Sequence, residues 1–153
     1  MKDLAVDKKQ IALIAVLVLA ILCGMGYYSS SVLSNKWKFS PEKVFEEAFD
    51  EPVARAEHLT GDRDPSGNFN TWLHFKYPHI PVQKNKDQWK DAMVDEGRMW
   101  FAEKYPEDKA LNELQFLKLQ RRTWNDAVSV TNEWLLVNKH TDDCYYRIWG
   151  TSR

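Results

Sequence analysis

The chain has 153 residues, with 21 Lys and Arg against 22 Asp and Glu, two cysteines and a mean hydropathy of −0.55. A formal charge of −1 with no basic block excludes the electrostatic footprint that nucleic-acid binding requires. Cys23 and Cys144 fall in different parts of the chain, so a disulfide scaffold is excluded and the fold must stand on its apolar core.

Residues 1–10 read as a short tail carrying Lys2, Lys8 and Lys9. Ile11 to Tyr28, IALIAVLVLAILCGMGYY, then runs without a charge. At about 1.5 Å of rise per residue it reaches about 27 Å, close to the roughly 30 Å of hydrocarbon that a spanning helix must match. The run predicts a transmembrane helix over 11–28, with the lipid bilayer as its first partner. A cleaved signal peptide has the same basic start and apolar stretch, but no A-x-A site occurs between Gly24 and Ser34. Lipid attachment at Cys23 is disfavoured by the bulky Leu22 before it. Lys8 and Lys9 beside the apolar run favour an N-terminus inside, which puts the rest of the chain on the non-cytoplasmic side. Tyr27, Tyr28 and Trp37 suit an interfacial aromatic belt there.

Residues 29–39 read as a juxtamembrane connector, and 40–153 as one soluble domain long enough for a single core. Ser40-Pro41-Glu42 supplies an N-cap, a proline at the first helical position and an acid in the first turn. A helix follows, with Val44, Phe45, Ala48 and Phe49 on its apolar edge and Pro52 ending it. Val53 to Thr60 and Phe69 to Tyr77 are extended and flank the turn residues Gly61 to Asn68, a hairpin with a long loop. In its second strand Thr71, Leu73, Phe75 and Tyr77 alternate with Trp72, His74 and Lys76. Pro78 and Pro81 break the ladder.

Asn85 is placed to cap a second helix, Lys86 to Tyr105, striped by Trp89, Ala92, Met93, Glu96, Trp100 and Phe101. Gly97 weakens that helix and admits a bulky neighbour. A strand starts near Leu114, and Glu133 to Asn138 with Cys144 to Trp149 form a final hairpin around a polar tip. The order helix, hairpin, helix, strands predicts an α+β domain in which two helices cover one face of an antiparallel sheet.

Asp62-x-Asp64-x-Ser66-Gly67 resembles the opening of an EF-hand calcium loop, making Asp62, Asp64, Ser66 and Asn68 the candidate metal ligands. Leu73 stands where the bidentate Glu belongs, Pro65 lies inside, and the flanks are strand-like, so a plain turn competes. His58, His74, His79 and His140 show no zinc-ligand spacing. Seven tryptophans are the other unusual feature. Trp72, sharing a strand face with His74 and Lys76, reads as an exposed aromatic on a partner-facing surface; with His79 these are the candidate partner-binding residues. No phosphate loop, nucleophile elbow or zinc-protease motif occurs, so no catalytic residue and no cofactor is indicated.

The sequence therefore points to a single-pass membrane protein whose domain is an accessory or partner-binding module beside a membrane protein complex. The alternatives are an extracytoplasmic small-ligand or calcium-binding domain, and an anchored hydrolase, whose sign would be a pocket joining His74 or His58 to a carboxylate.

Overall fold

A computed structural model describes residue 14 and residues 16–27, 39–64, 70–126 and 129–152. The chain divides into two units, Met1–Lys38 and Phe39–Arg153. In the first, residues 16–27 are helical (α1) and their large apolar side chains, Leu17, Leu19, Ile21 and Leu22 among them, are exposed. Among the described residues no helix is long and apolar enough to cross a membrane. Residues 11–13, 15 and 28 of the expected span, and nearly all of the expected connector, lie outside the described residues.

The second unit opens as its sequence dictates. Ser40 Oγ accepts from the Lys43 amide at 3.3 Å, Pro41 occupies the first turn, and α2 runs over Pro41–Ala48. Its buried edge is Phe45 and Ala48, continued by Phe49 just beyond the last turn. Phe45 meets Phe75 edge-on at 5.1 Å and Phe49 meets Tyr146 at 5.4 Å, the tilted geometries that aromatic quadrupoles favour. Burying each such ring is worth about 1.5–3 kcal/mol.

Six antiparallel strands form one sheet in the order β1-β2-β6-β5-β4-β3. They are β1 Glu57–Arg63, β2 Asn70–Lys76, β3 Lys90–Ala92, β4 Leu117–Asn125, β5 Ser129–Asn138 and β6 Asp143–Ser152. The last four make a meander, and the first hairpin joins it along β6. Val53–Arg55, expected to start the first strand, is instead a 3₁₀ turn, and β4 begins after two further 3₁₀ turns, later than Leu114. β1, at the edge, is irregular between Glu57 and Thr60, where His58 has φ 53°, and it carries Glu57, Asp62 and Arg63, features that discourage further pairing.

The expected single covered face is corrected: the helices lie on opposite faces. Strand alternation sends Leu73, Phe75, Leu135, Val137, Cys144 and Tyr146 towards α2. Trp72, Leu119, Leu136 and Tyr145 point the other way, packing with Phe101 of α3, Val94–Lys104. Leu135 through Asn138 and Asp143 through Tyr146 are buried without a break, so these central strands need cover on both sides.

The same division breaks the expected helix over Lys86 to Tyr105. Trp89 is buried with α2 and donates its indole N–H to the Lys84 carbonyl at 3.2 Å, whereas Phe101 is buried on the far face. One straight helix cannot reach both. Asn85 does not cap it; it adopts a left-handed conformation before the 3₁₀ turn Lys86–Gln88. The chain then rounds the sheet edge as β3, with Asp91 accepting from Gln120 and paired with Lys118 on β4. Helix α3 starts only at Val94, leaving Met93 and Trp100 of the expected stripe exposed and Gly97 and Phe101 as its buried contacts.

Gly97 lets α3 lie close against the sheet. A Cβ there would lie 2.8 Å from Leu119 Cδ2 and 2.8 Å from Trp134 Cε3, both fixed in the packed layer. Alanine would gain up to about 1 kcal/mol of helix propensity, but forcing a methyl into a filled core costs about 1–3 kcal/mol. We expect Gly97→Ala to destabilise the full-length protein by about 1 kcal/mol or more in urea denaturation followed by tryptophan fluorescence, and an unchanged or raised midpoint would refute the close packing.

Candidate functional site

On the face that carries α3, β2 and β6 build a ladder of unlike pairs: Asn70 opposite Trp149, Trp72 opposite Arg147, His74 opposite Tyr145 and Lys76 opposite Asp143. Register sets every one of these neighbours, because residues two apart on a strand share a face. Two groups of polar side chains emerge along the ladder.

At one end, His74 lies flat on Tyr145, ring centroids 4.6 Å apart and planes inclined by 7°. Its Nε2 is 3.2 Å from Asp143 Oδ1 and 3.6 Å from Asp108 Oδ2, and Tyr145 donates its hydroxyl to the same Asp108 oxygen at 2.8 Å. Lys76 Nζ completes the group at 3.9 Å from Asp143. Burial, followed by the Asp62 and Asp108 charges, raises the pKa of the adjoining Tyr105. Burial, then its bond to Asp108, does the same for Tyr145. Both phenols stay protonated at neutral pH, and Tyr145 donates to Asp108. The group holds a histidine in a fixed orientation between two carboxylates, but no Ser, Thr or Cys nucleophile is bonded to it among the described residues. Cys144 points to the opposite face and is buried, which raises its thiol pKa out of the reactive range.

At the other end stands Arg147. Its Cζ lies 4.2 Å from the centroid of Trp72, 4.3 Å from Trp149 and 5.0 Å from Trp100. Its Nε donates to Asn70 Oδ1 at 3.0 Å. Burial lowers the pKa of this guanidinium, partly offset by the nearby Glu103 charge. A groove of about 300 Å³ opens beside it, lined by Asn70, Trp72, Trp100, Glu103, Lys104 and Arg147. The helical contributors Trp100, Glu103 and Lys104 come from one side of α3 because residues three and four apart are neighbours there.

The structure separates the residues singled out from sequence. Trp72 is not an exposed aromatic: it is 7 % exposed, roofed edge-on by Phe101 at 5.6 Å, and meets the groove only beside Arg147. The alternation rule placed it on the second face correctly but took that face to be open, whereas α3 covers it. His74 and Lys76 do share that face and one acidic partner, Asp143. His79 lies elsewhere, its Nε2 3.0 Å from Glu51 Oε1. Of the candidate calcium ligands, Asp62 pairs with Lys104 of α3 at 2.6 Å and accepts from the Arg63 amide at 2.8 Å. The Asp64 amide donates to the Asn70 carbonyl at 2.8 Å across the hairpin. Ser66 and Asn68 lie outside the described residues, and among those described no group of three or more His, Cys, Asp or Glu side chains is arranged to hold a metal. Arg147 and Asp108 were not singled out in the sequence, and Trp100 only as part of the helical stripe; an Arg among aromatic residues in YYRIW was the available signal.

Three of the four histidines sit on carboxylates distant in sequence: His74 on Asp143 and Asp108, His79 on Glu51, and His140 on Glu113. Hydrogen bonding from His79, then from Tyr77 and the Val82 amide, holds the Glu51 carboxyl below its ordinary value of 4.5. Asn138 and His140 do the same for Glu113. A carboxyl depressed in the folded state contributes stability that is fully present above its unfolded pKa. That contribution is lost as pH falls through the folded pKa, because the unfolded chain then binds more protons. We expect the urea midpoint to fall more between pH 7 and about pH 3.5 in the wild type than in Glu51→Gln, and equal falls would show that His79 and Tyr77 do not stabilise the Glu51 anion.

No family model matches the chain, no curated protein is significantly similar to it and no solved structure matches it, which leaves the arrangement of its own residues as the ground for a functional reading.

Proposed function

We propose that this is a single-pass membrane protein whose small α+β domain, on the non-cytoplasmic side, serves as an accessory module that binds a protein partner through the groove between α3 and the β2–β6 ladder. The observation that carries the binding surface is Arg147. Its guanidinium is walled by three tryptophans, and its terminal nitrogens make no hydrogen bond or ion pair among the described residues. Trp100, 49 % exposed, lies beside it, so the groove joins a large aromatic surface to a half-buried cation with no acid partner among the described residues. Tryptophan and arginine are the residues most often found to dominate interface energetics.

The membrane anchor is supported by the uncharged run Ile11 to Tyr28 and by the exposure of apolar side chains along α1, which call for a non-aqueous cover. Carbonate washing of membranes should leave the full-length chain in the pellet; release into the supernatant would defeat the anchor. Affinity purification at native expression, across several detergents, should recover a defined membrane partner from the wild type and much less of it from Arg147→Lys. Recovery of the chain alone in every detergent would defeat the accessory reading.

A second reading, an anchored hydrolase using His74 as base, is favoured by the His74–Asp143 contact and weakened because no Ser, Thr or Cys nucleophile is bonded to His74 among the described residues.

A further inference from the structure

The groove beside Arg147 carries enough chemistry to name what it binds, and this deepens the partner-binding reading on which it rests. The guanidinium has five N–H donors in a planar fork. Nε is committed to Asn70 Oδ1 at 3.0 Å, and the four hydrogens on the terminal nitrogens have no acceptor among the described residues. On this face Lys104 is paired with Asp62, Lys76 with Asp143 and Arg121 with Glu96, while Arg98 of α3 keeps a buried Nε without a hydrogen-bond partner among the described residues. Besides Asn70, Arg147 has the rings of Trp72, Trp100 and Trp149 around it, which attract the charge but offer its terminal hydrogens no acceptor oxygen. The ring walls also fix the fork, so little rotamer freedom remains to be lost when an anion docks.

We propose that the groove between α3 and β6 binds the side-chain carboxylate of a glutamate or aspartate on a protein partner, held by the terminal nitrogens of Arg147 with its methylene stem between the rings of Trp72 and Trp100. A carboxylate matches the guanidinium fork with two parallel hydrogen bonds. Glu103 at the rim selects against a phosphate, whose charge of about −1.5 to −2 at neutral pH it would repel more strongly than a single negative charge. A chain terminus presents the same carboxylate without the methylene stem that Trp72 and Trp100 would contact, so it is the weaker fit. At about 300 Å³ the groove accommodates one side chain and its immediate neighbours.

The test is a titration of the full-length protein in detergent micelles, followed by the indole N–H resonances of its tryptophans. The probe is acetyl-Gly-Glu-Gly-amide, compared with the Gln analogue, acetyl-Gly-Gly-Gly with a free terminus, and inorganic phosphate. The Glu peptide should give saturable shifts at Trp72, Trp100 and Trp149, with the other three ligands weaker by about tenfold or more. Arg147→Lys keeps the charge but removes the fork and should weaken the Glu peptide by about tenfold. Trp100→Ala, at a half-exposed position that leaves the core intact, should weaken it as well. No saturation with the Glu peptide, equal binding of the Gln peptide, tighter binding of phosphate or of the free terminus, or full binding in both variants would each overturn the proposal. Peptide binding without a recoverable membrane partner would sink the accessory reading and leave this subsite standing. A partner retained equally by Arg147→Lys would do the reverse.

Discussion

The pairing of β2 with β6 is the constraint on which the domain depends. It joins residues about seventy positions apart, from Asn70 opposite Trp149 to Lys76 opposite Asp143, and it is the link by which the first hairpin joins the meander. Its register is specified from both sides at once. A slip by one residue would send Leu73, Phe75 and Tyr146 out of the layer under α2 and force Trp72 and Tyr145 into it. Two unlike cores therefore lock a single alignment more firmly than one core facing water would. The polar ladder follows from that alignment: His74 lies on Tyr145 and Arg147 on Trp72 because those are the cross-strand partners that the two cores dictate.

Burial on both faces explains a composition that looks excessive for one small domain. A sheet with a single covered face needs about half of its strand residues apolar, but the central strands here are buried continuously over Leu135 to Asn138 and Asp143 to Tyr146. Aromatic side chains fill both layers with few residues, through Phe45, Phe49, Phe75 and Tyr146 on one side and Trp72, Phe101 and Tyr145 on the other. On the α2 side a buried charge pair is matched within itself. Arg122 is 9 % and Glu133 4 % exposed on the α2 side, bonded to each other through two nitrogen–oxygen contacts, with the guanidinium 4.4 Å from the Trp124 ring centroid. A pair so placed is weak evidence for net stability, but losing either member would leave an uncompensated buried charge.

Local signals were legible wherever one short segment decides the outcome. Ser40-Pro41-Glu42 marked a helix start because cap, proline and acid all act within one turn, and the last hairpin was visible because its strands are apolar and its tip polar. The apolar spacing from Trp89 to Phe101 misled for a definite reason: it combines residues destined for opposite layers, and periodicity cannot tell one helix face from two sheet faces joined by a short edge strand. The alternation around Trp72 was read correctly, yet whether its face is open depends on α3, more than twenty residues downstream. The carboxylate partners of His74 and His79 were out of reach for the same reason, since Asp108, Asp143 and Glu51 are brought to them only by tertiary structure.

The contrast between the two polar groups on the α3 face bears on what each is for. Around His74, polar groups are matched to one another: two carboxylates, a phenol donor and an ammonium meet within a few ångströms, a network of a kind that fixes a core in one arrangement. Around Arg147 the matching is incomplete. Cation–π contacts are worth about 0.5–2 kcal/mol and offset part of the cost of drawing a guanidinium out of water, but they satisfy its plane and leave its edge. If stability alone governed this position, a carboxylate from Glu103 would serve, since it already lies close enough to oppose the fall in the Arg147 pKa. Instead Glu103 lines the groove with Lys104 and Asn70, while Arg147 lies against the indole rings of Trp72 and Trp100. A guanidinium that is half-buried and held between rings has less rotamer freedom left to lose than a free surface arginine, which is the physical ground on which the proposed docking of a carboxylate rests.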